Sequence, residues 1–274
     1  MFGSDLGAIA VSELVAFALI TCRIAGFVVT SPFPGPHVPK SQKVGLVLAV
    51  AWLVASMRWS PEAVGARAIL GVAGQAPEFT VDAGLLPIVW RELGVGLLVG
   101  FVVRTALSAA EIAGEFISHA MGLSSASVFD PFAGVQATAL SRAVTLLAML
   151  VFLGCGAHRV AIGYLMASFG ALPIGEVMHP ETAAVELTQT AASAVVIGLR
   201  LALPSVATAL VIQASLALVA RVAPSLQLFN VGFGVLVAAG LHVFLGSLGD
   251  MTTWFFEISS SLPDTLDRVL GTLT

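Results

Sequence analysis

The residues of this 274-residue chain best suited to chemistry are its five histidines, its two cysteines and a few carboxylates. Their spacing assembles no catalytic or metal-binding set. His37, His119, His158, His179 and His242 lie in separate segments, without an HExxH pair or a histidine–carboxylate cluster at ligand spacing. Ser124 and Ser125 sit in GLSSA, which lacks the GxSxG nucleophile pattern, and the glycine-rich stretches contain no phosphate-loop lysine. Cys22 and Cys155 are flanked by aliphatic residues, far from any CxxC spacing, and read as small core hydrophobes. The expectation is a protein that is not an enzyme and carries no cofactor and no metal. His158 and His242 are expected to pack or to face a pore.

Other polar residues need a different explanation. Arg104, Ser108, Glu111 and Glu115 fall at spacings of four, three and four, which places them on one stripe of a helix. A charge at the centre of a membrane segment costs about 2.5–3.5 kcal/mol on insertion scales. Glu111 and Glu115 on adjacent turns also repel unless water or a cationic partner faces them. The stripe fits a helix that lines an aqueous route or meets a partner subunit. It fits equally a helix end emerging into lipid headgroups.

After the stripe come Met121, Val128, Phe129, Asp130, Pro131 and Phe132, interleaved with Gly122, Gly134 and four serine or threonine residues. Non-helical backbone at membrane depth is tolerated only inside protein or beside water. A pore loop would have this composition, with bulky apolar groups able to occlude a channel by excluding water. An ordinary connecting loop is the alternative.

The elements that must position these residues are read from composition. The chain is 58% hydrophobic and 10% charged with mean hydropathy +1.00, against roughly 45–50% and about 25% in soluble domains. No charge falls between Arg200 and Arg221 or between Arg221 and Asp250, and each gap can cross a hydrocarbon core of about 20 helical residues. A net charge of −4 and a pI near 5.7, with no clustered basic stripe, argue against nucleic acid. The start, MFGSDLG, has no basic stretch, and Glu13 and Arg23 interrupt the run that follows, so a cleaved signal peptide is not expected.

Apolar runs are expected at Leu6 to Thr30, Val44 to Met57, Leu85 to Ala110, Leu140 to Leu172 and, as two segments, Ala191 to Leu248. Four prolines in SPFPGPHVPK stop the first. The second is short enough to be buried or re-entrant. Arg58 to Asp82, with Pro61, Gly74 and Pro77, reads as a loop, and GCGAHR divides the fourth run into a hairpin. Long apolar runs without alternation exclude a membrane barrel. An all-α membrane protein in one domain is the expected fold class. Gly96 and Gly100, four apart, would let another helix approach closely.

The chain resembles the FliR/SctT family, the export-gate subunit of flagellar and virulence type III secretion systems. The resemblance rests on ordered blocks: RIAGFVVTSPFPGPHVPKSQKVGLVLA from Arg23, AGEFISHAMGLSSASVFDP from Ala113, LSRAVTLLAMLVFLGCGAHR from Leu140, LPIGE from Leu172 and LRLALPSVATALVIQASLALVARVAPSLQLFNVGF from Leu199. It implies bent helical hairpins, with a FliP-like part at 1–190 that includes a plug-like segment at 119–135. A FliQ-like hairpin at 191–250 and a C-terminal amphipathic segment at 251–274 follow. It implies FliP-like and FliQ-like subunits and other export-apparatus membrane proteins as partners, unfolded proteins as substrates, and a place in the bacterial inner membrane at a flagellar basal body or injectisome base. After NVGF, where family members commonly continue with Pro, this chain has Gly234-Val235-Leu236-Val237. A secondary transporter of small solutes would share the composition, but should show related halves with interrupted helices in matching positions. No such repeat is visible.

Overall fold

The computed structural model describes residues 2–33, 35, 38–57, 85–122, 139–172, 174, 180–222 and 228–271. Their regular structure is helical: α1 (Phe2–Thr30), α2 (Lys40–Met57), α3 (Leu85–Ala120), α4 (Ala139–Gly154), α5 (Ala157–Ala171), α6 (Pro180–Val222), α7 (Leu228–Ser260) and α8 (Leu262–Gly271). Pro87, Pro180 and Pro263 each fall in the first turn of a helix, where the missing N–H has no helical partner to lose. Gly156, at a φ of 73°, separates α4 from α5 at the expected GCGAHR break. The short second run is α2, which buries Val47, Ala51 and Val54 against α1 while Leu48, Trp52 and Leu53 stay exposed. It is thus a half-covered helix, not a buried one.

Among the described residues, three stretches are long and apolar enough to cross a membrane: Leu86–Ala120, Ala183–Val222 and Gly234–Gly271. The broken pair α4 and α5 would make a fourth. The fold is that of an all-α membrane protein.

The chain forms two compact units. One comprises Met1–Arg104, His158–Thr190 and Leu262–Thr274, the other Thr105–Ala157 and Ala191–Ser261.

In the first unit, α1 and α3 meet along a seam of bare backbone. Glu92, Gly96 and Gly100 recur every four residues on α3, facing Arg23, Gly26, Phe27 and Thr30 of α1. A Cβ at Gly96 would collide with the Arg23 carbonyl, and one at Gly26 with the Leu93 carbonyl. A Cβ on Gly100 would strike the Thr30 hydroxyl and lie 2.7 Å from the Phe27 carbonyl. The expected close approach at Gly96 and Gly100 is therefore present, and Thr30 Oγ1 crosses the seam to donate to the Leu97 carbonyl at 3.1 Å.

Arg23 and Glu92, each 1% exposed, close one end of this seam. Arg23 Nε donates to Glu92 Oε2 at 2.7 Å and Nη2 reaches the same oxygen at 2.6 Å. Nη2 also donates to the Leu172 carbonyl at 3.0 Å. Nη1 donates to the Ser168 carbonyl at 2.8 Å and to its Oγ at 3.4 Å. All five guanidinium N–H groups thus find acceptors, and the guanidinium lies 4.4 Å from the Phe169 ring centroid. The Ser168 carbonyl also accepts from the Leu172 N–H at 3.0 Å, and the Leu172 carbonyl lies just past the C-terminal end of α5, where helical donors run out.

Removing one member of a buried pair leaves the other uncompensated, at about 3–5 kcal/mol. Arg23→Leu or Glu92→Leu should therefore lower the yield of monodisperse protein sharply. Arg23→Lys should rescue little, because an ammonium carries three donors and no planar fork. Size-exclusion profiles and thermal unfolding in detergent measure this, and a stable Arg23→Lys variant would refute the five-acceptor account.

Candidate functional site

The polar stripe lies in the second half of α3. The sequence suggested a helix over Leu85 to Ala110, but α3 continues unbroken to Ala120. Its 36 residues span about 54 Å, well beyond a hydrocarbon core of about 30 Å. Arg104 is exposed and Glu111 and Glu115 are half-buried, while Ala110, Ala113 and Ile117 on the far side, and Leu107 beside the stripe, are buried. His119 extends the stripe by one turn, with Nε2 3.8 Å from Glu115 Oε2. Sequence reasoning left His119 out of the stripe, although its spacing of four from Glu115 was available as a signal.

Just past the stripe, in the second unit, the end of α3 is held by three devices. Gly122 adopts a left-handed φ of 73° and its N–H donates to the His119 carbonyl at 3.0 Å, a glycine helix stop. Gln213 Nε2 of α6 donates to the exposed Ala120 carbonyl at 3.2 Å. Met121 is fully buried against Gly240 of α7, where an added Cβ would lie 2.7 Å from Met121 Cγ and 2.9 Å from Cε. Met121 is therefore an anchor at the mouth of the segment, packed in the core of its own unit. Val128, Phe129, Asp130, Pro131 and Phe132 lie outside the described residues.

The chain returns at α4, whose Ser141 is buried beneath Gly114 of α3. A Cβ at Gly114 would stand 2.7 Å from Ser141 Cα. Below that contact, Val144, Ala148 and Phe152 continue the buried face of α4, and α4 packs on α7. Two backbone contacts, Gly114 with Ser141 and Met121 with Gly240, thus fix the residues on either side of 123–138. The arrangement can hold a loop at a set place. It brings no acid–base pair together, and no group of three or more His, Cys, Asp or Glu suited to a metal occurs among the described residues.

Residues 14–262 match the family model described as bacterial export proteins, family 1. The chain belongs to this family. It is 30% identical to the flagellar biosynthetic protein FliR of Escherichia coli (strain K12) over 252 residues, covering 90% of this chain and 91% of that protein. It is 27% identical to the FliR of Bacillus subtilis (strain 168), covering 84% and 85%. The FliR of Aquifex aeolicus (strain VF5) is 30% identical, with 86% of each chain covered. The resemblance read from the ordered blocks is thereby borne out, and the match includes the Arg23 seam, the stripe, the first two membrane-length stretches and the third as far as residue 262.

The half-exposed stripe limits what its charges can contribute. Exposed or half-exposed pairs are worth about 0.2–1 kcal/mol, so Glu111→Gln and Glu115→Gln should each reduce export less than about fivefold. Secretion of a reporter substrate by strains carrying each change provides the measurement. Abolished export with normal assembly would instead identify a carboxylate that must titrate.

Proposed function

We propose that this chain is a core subunit of the type III export gate and, with FliP-like and FliQ-like subunits, forms the channel through which unfolded substrates cross the bacterial inner membrane. The observation that carries this reading is the family match over residues 14–262. The flagellar names of the relatives favour the flagellar basal body over an injectisome. The exposed faces support a multi-subunit role. In the most apolar windows of Ala183–Val222 and Gly234–Gly271 only 28% and 22% of residues are buried, against 56% for Leu86–Ala120. Val195, Leu203, Leu210, Val211 and Leu218 stand exposed along α6. Lipid and neighbouring subunits are what such a surface meets. Residues 1–190 serve as the FliP-like part and 191–250 as the FliQ-like hairpin in this assignment.

Co-expression with the FliP-like and FliQ-like subunits, followed by native mass spectrometry, tests the assembly. The expected result is a monodisperse complex with one copy of this chain, and aggregation of the chain expressed alone. A well-behaved lone monomer that binds neither partner would refute the proposal.

In the same reading, the segment bearing Val128, Phe129, Asp130, Pro131 and Phe132 is the plug. Its bulky apolar residues can close a channel without a fixed charge barrier. The anchors at Gly114 and Gly240 belong to α3 and α7, so loss of the plug should spare assembly. Deleting residues 124–132, or replacing Phe129 and Phe132 with Ser, should leave the complex intact and raise its resting conductance in planar bilayers. A deletion complex that conducts no more than wild type would show the segment to be only a connection.

A further inference from the structure

Arg200 sits at the middle of α6, twenty residues after Pro180 and twenty-two before Val222, so it lies about 30 Å from either helix end. Its side chain is exposed, and it makes no ion pair or side-chain hydrogen bond among the described residues. The turn around it is also short of a donor. Pro204, four residues on, is the proline inside α6 and has no N–H to offer the Arg200 carbonyl. A full positive charge and an unsupplied carbonyl therefore occur together on one exposed turn. The opposite face, with Gly198, Leu201, Ala202, Ser205 and Ala209, is buried. Gly198 abuts α3 so closely that a Cβ would come 2.8 Å from the Ala109 carbonyl.

The residues around Arg200 decide what it meets. Val196 and Leu199 before it and Leu203 and Leu210 after it share its face and are 48%, 42%, 51% and 60% exposed. Water lining a lumen does not suit such a face. Lipid phosphate is out of easy reach, because the exposed Val195, Val196, Leu199, Leu203, Leu210 and Val211 flank Arg200 on both sides, and its side chain would have to snorkel past them. A charge held among apolar groups needs an opposite charge brought to it. The planar guanidinium fork matches a carboxylate.

We propose that the Arg200 face of α6 is an intersubunit contact, in which the guanidinium pairs with an Asp or Glu on a membrane helix of a partner subunit while the apolar neighbours pack around the pair. This rests on the multi-subunit reading above. It differs from the Arg23 and Glu92 pair in that its acceptor comes from another chain.

The test uses the full chain co-expressed with its partner membrane subunits. Arg200→Leu and Arg200→Glu should reduce the co-purifying partner by about thirtyfold or more, the usual penalty for truncating one side of a buried charge pair. Arg200→Lys should retain part of it. Because Arg200 is exposed and makes no ion pair or side-chain hydrogen bond among the described residues, Arg200→Leu alone in detergent should unfold at the wild-type temperature, which separates lost contact from misfolding. A photo-crosslinking residue at Leu203 should capture a partner helix, and a carboxylate-to-lysine change near the captured position should restore assembly of Arg200→Glu. Crosslinking to phospholipid alone, with Arg200→Glu assembling normally, would overturn the proposal in favour of a headgroup contact. Rapid labelling of Arg200→Cys in the assembled complex by a membrane-impermeant methanethiosulfonate would overturn it in favour of a lumen. A wild-type chain that co-purifies with no partner would sink the multi-subunit reading as well, whereas wild-type assembly unchanged by Arg200→Glu would sink this inference only.

Discussion

The constraint on which the first unit depends is the satisfaction of one buried guanidinium. The five N–H groups of Arg23 must find acceptors in a buried site, and they find them on two other helices: Glu92 on α3, and Ser168 and Leu172 at the end of α5. The glycines along the same seam make this possible. Gly26, Gly96 and Gly100 remove the side chains that would hold α1 and α3 apart, and only at that short separation can the Glu92 carboxylate reach Nε and Nη2 together. Apolar packing alone specifies position weakly in lipid, since lipid tails compete on equal terms with leucine. A polar cluster with every donor used has one low-energy arrangement.

The second unit is built by close contact at glycines. Gly114 receives Ser141, Gly198 receives Ala109 and Ile112, and Gly240 receives Met121. In each case a missing Cβ creates a notch on one helix that a neighbour fills, which favours close dispersion contact over charge. Two of these notches hold the ends of the helices that flank residues 123–138. Long helices with apolar exteriors leave little else to fix where such a segment begins and ends.

Much of this was legible in sequence because lipid simplifies the code. Runs of aliphatic residues mark helices, and prolines and the GCGAHR glycines mark their ends, as at Thr30 and Gly156. The boundary of α3 was misjudged because Arg104, Glu111 and Glu115 lower its hydropathy, although they lie on one face and leave the helix unbroken. Arg23 and Glu92 were visible only as isolated charges within apolar stretches. Sixty-nine residues separate them, and no periodicity along the chain reports a pairing set by the approach of two helices. Met121 was grouped with the loop residues by its neighbours in sequence, whereas the bare face of Gly240, far along the chain, makes it a core residue.

Charges in this chain therefore divide by where their counterparts come from. Arg23 uses all its N–H groups inside one unit, so the pair can define the subunit's own shape and Arg23 has no donor left to offer a neighbour. Arg200 makes no such contacts among the described residues, and in the proposed contact another subunit relieves its cost. A subunit that had satisfied every charge internally would meet its neighbours through aliphatic surface alone, and aliphatic surface does not distinguish a partner helix from lipid. An unpaired charge at a set depth does distinguish them, because a helix lacking the opposite charge at that depth leaves the cost unrelieved. The same property that makes the isolated chain unfavourable in a bilayer is what would give its assembly a preferred neighbour and a fixed register.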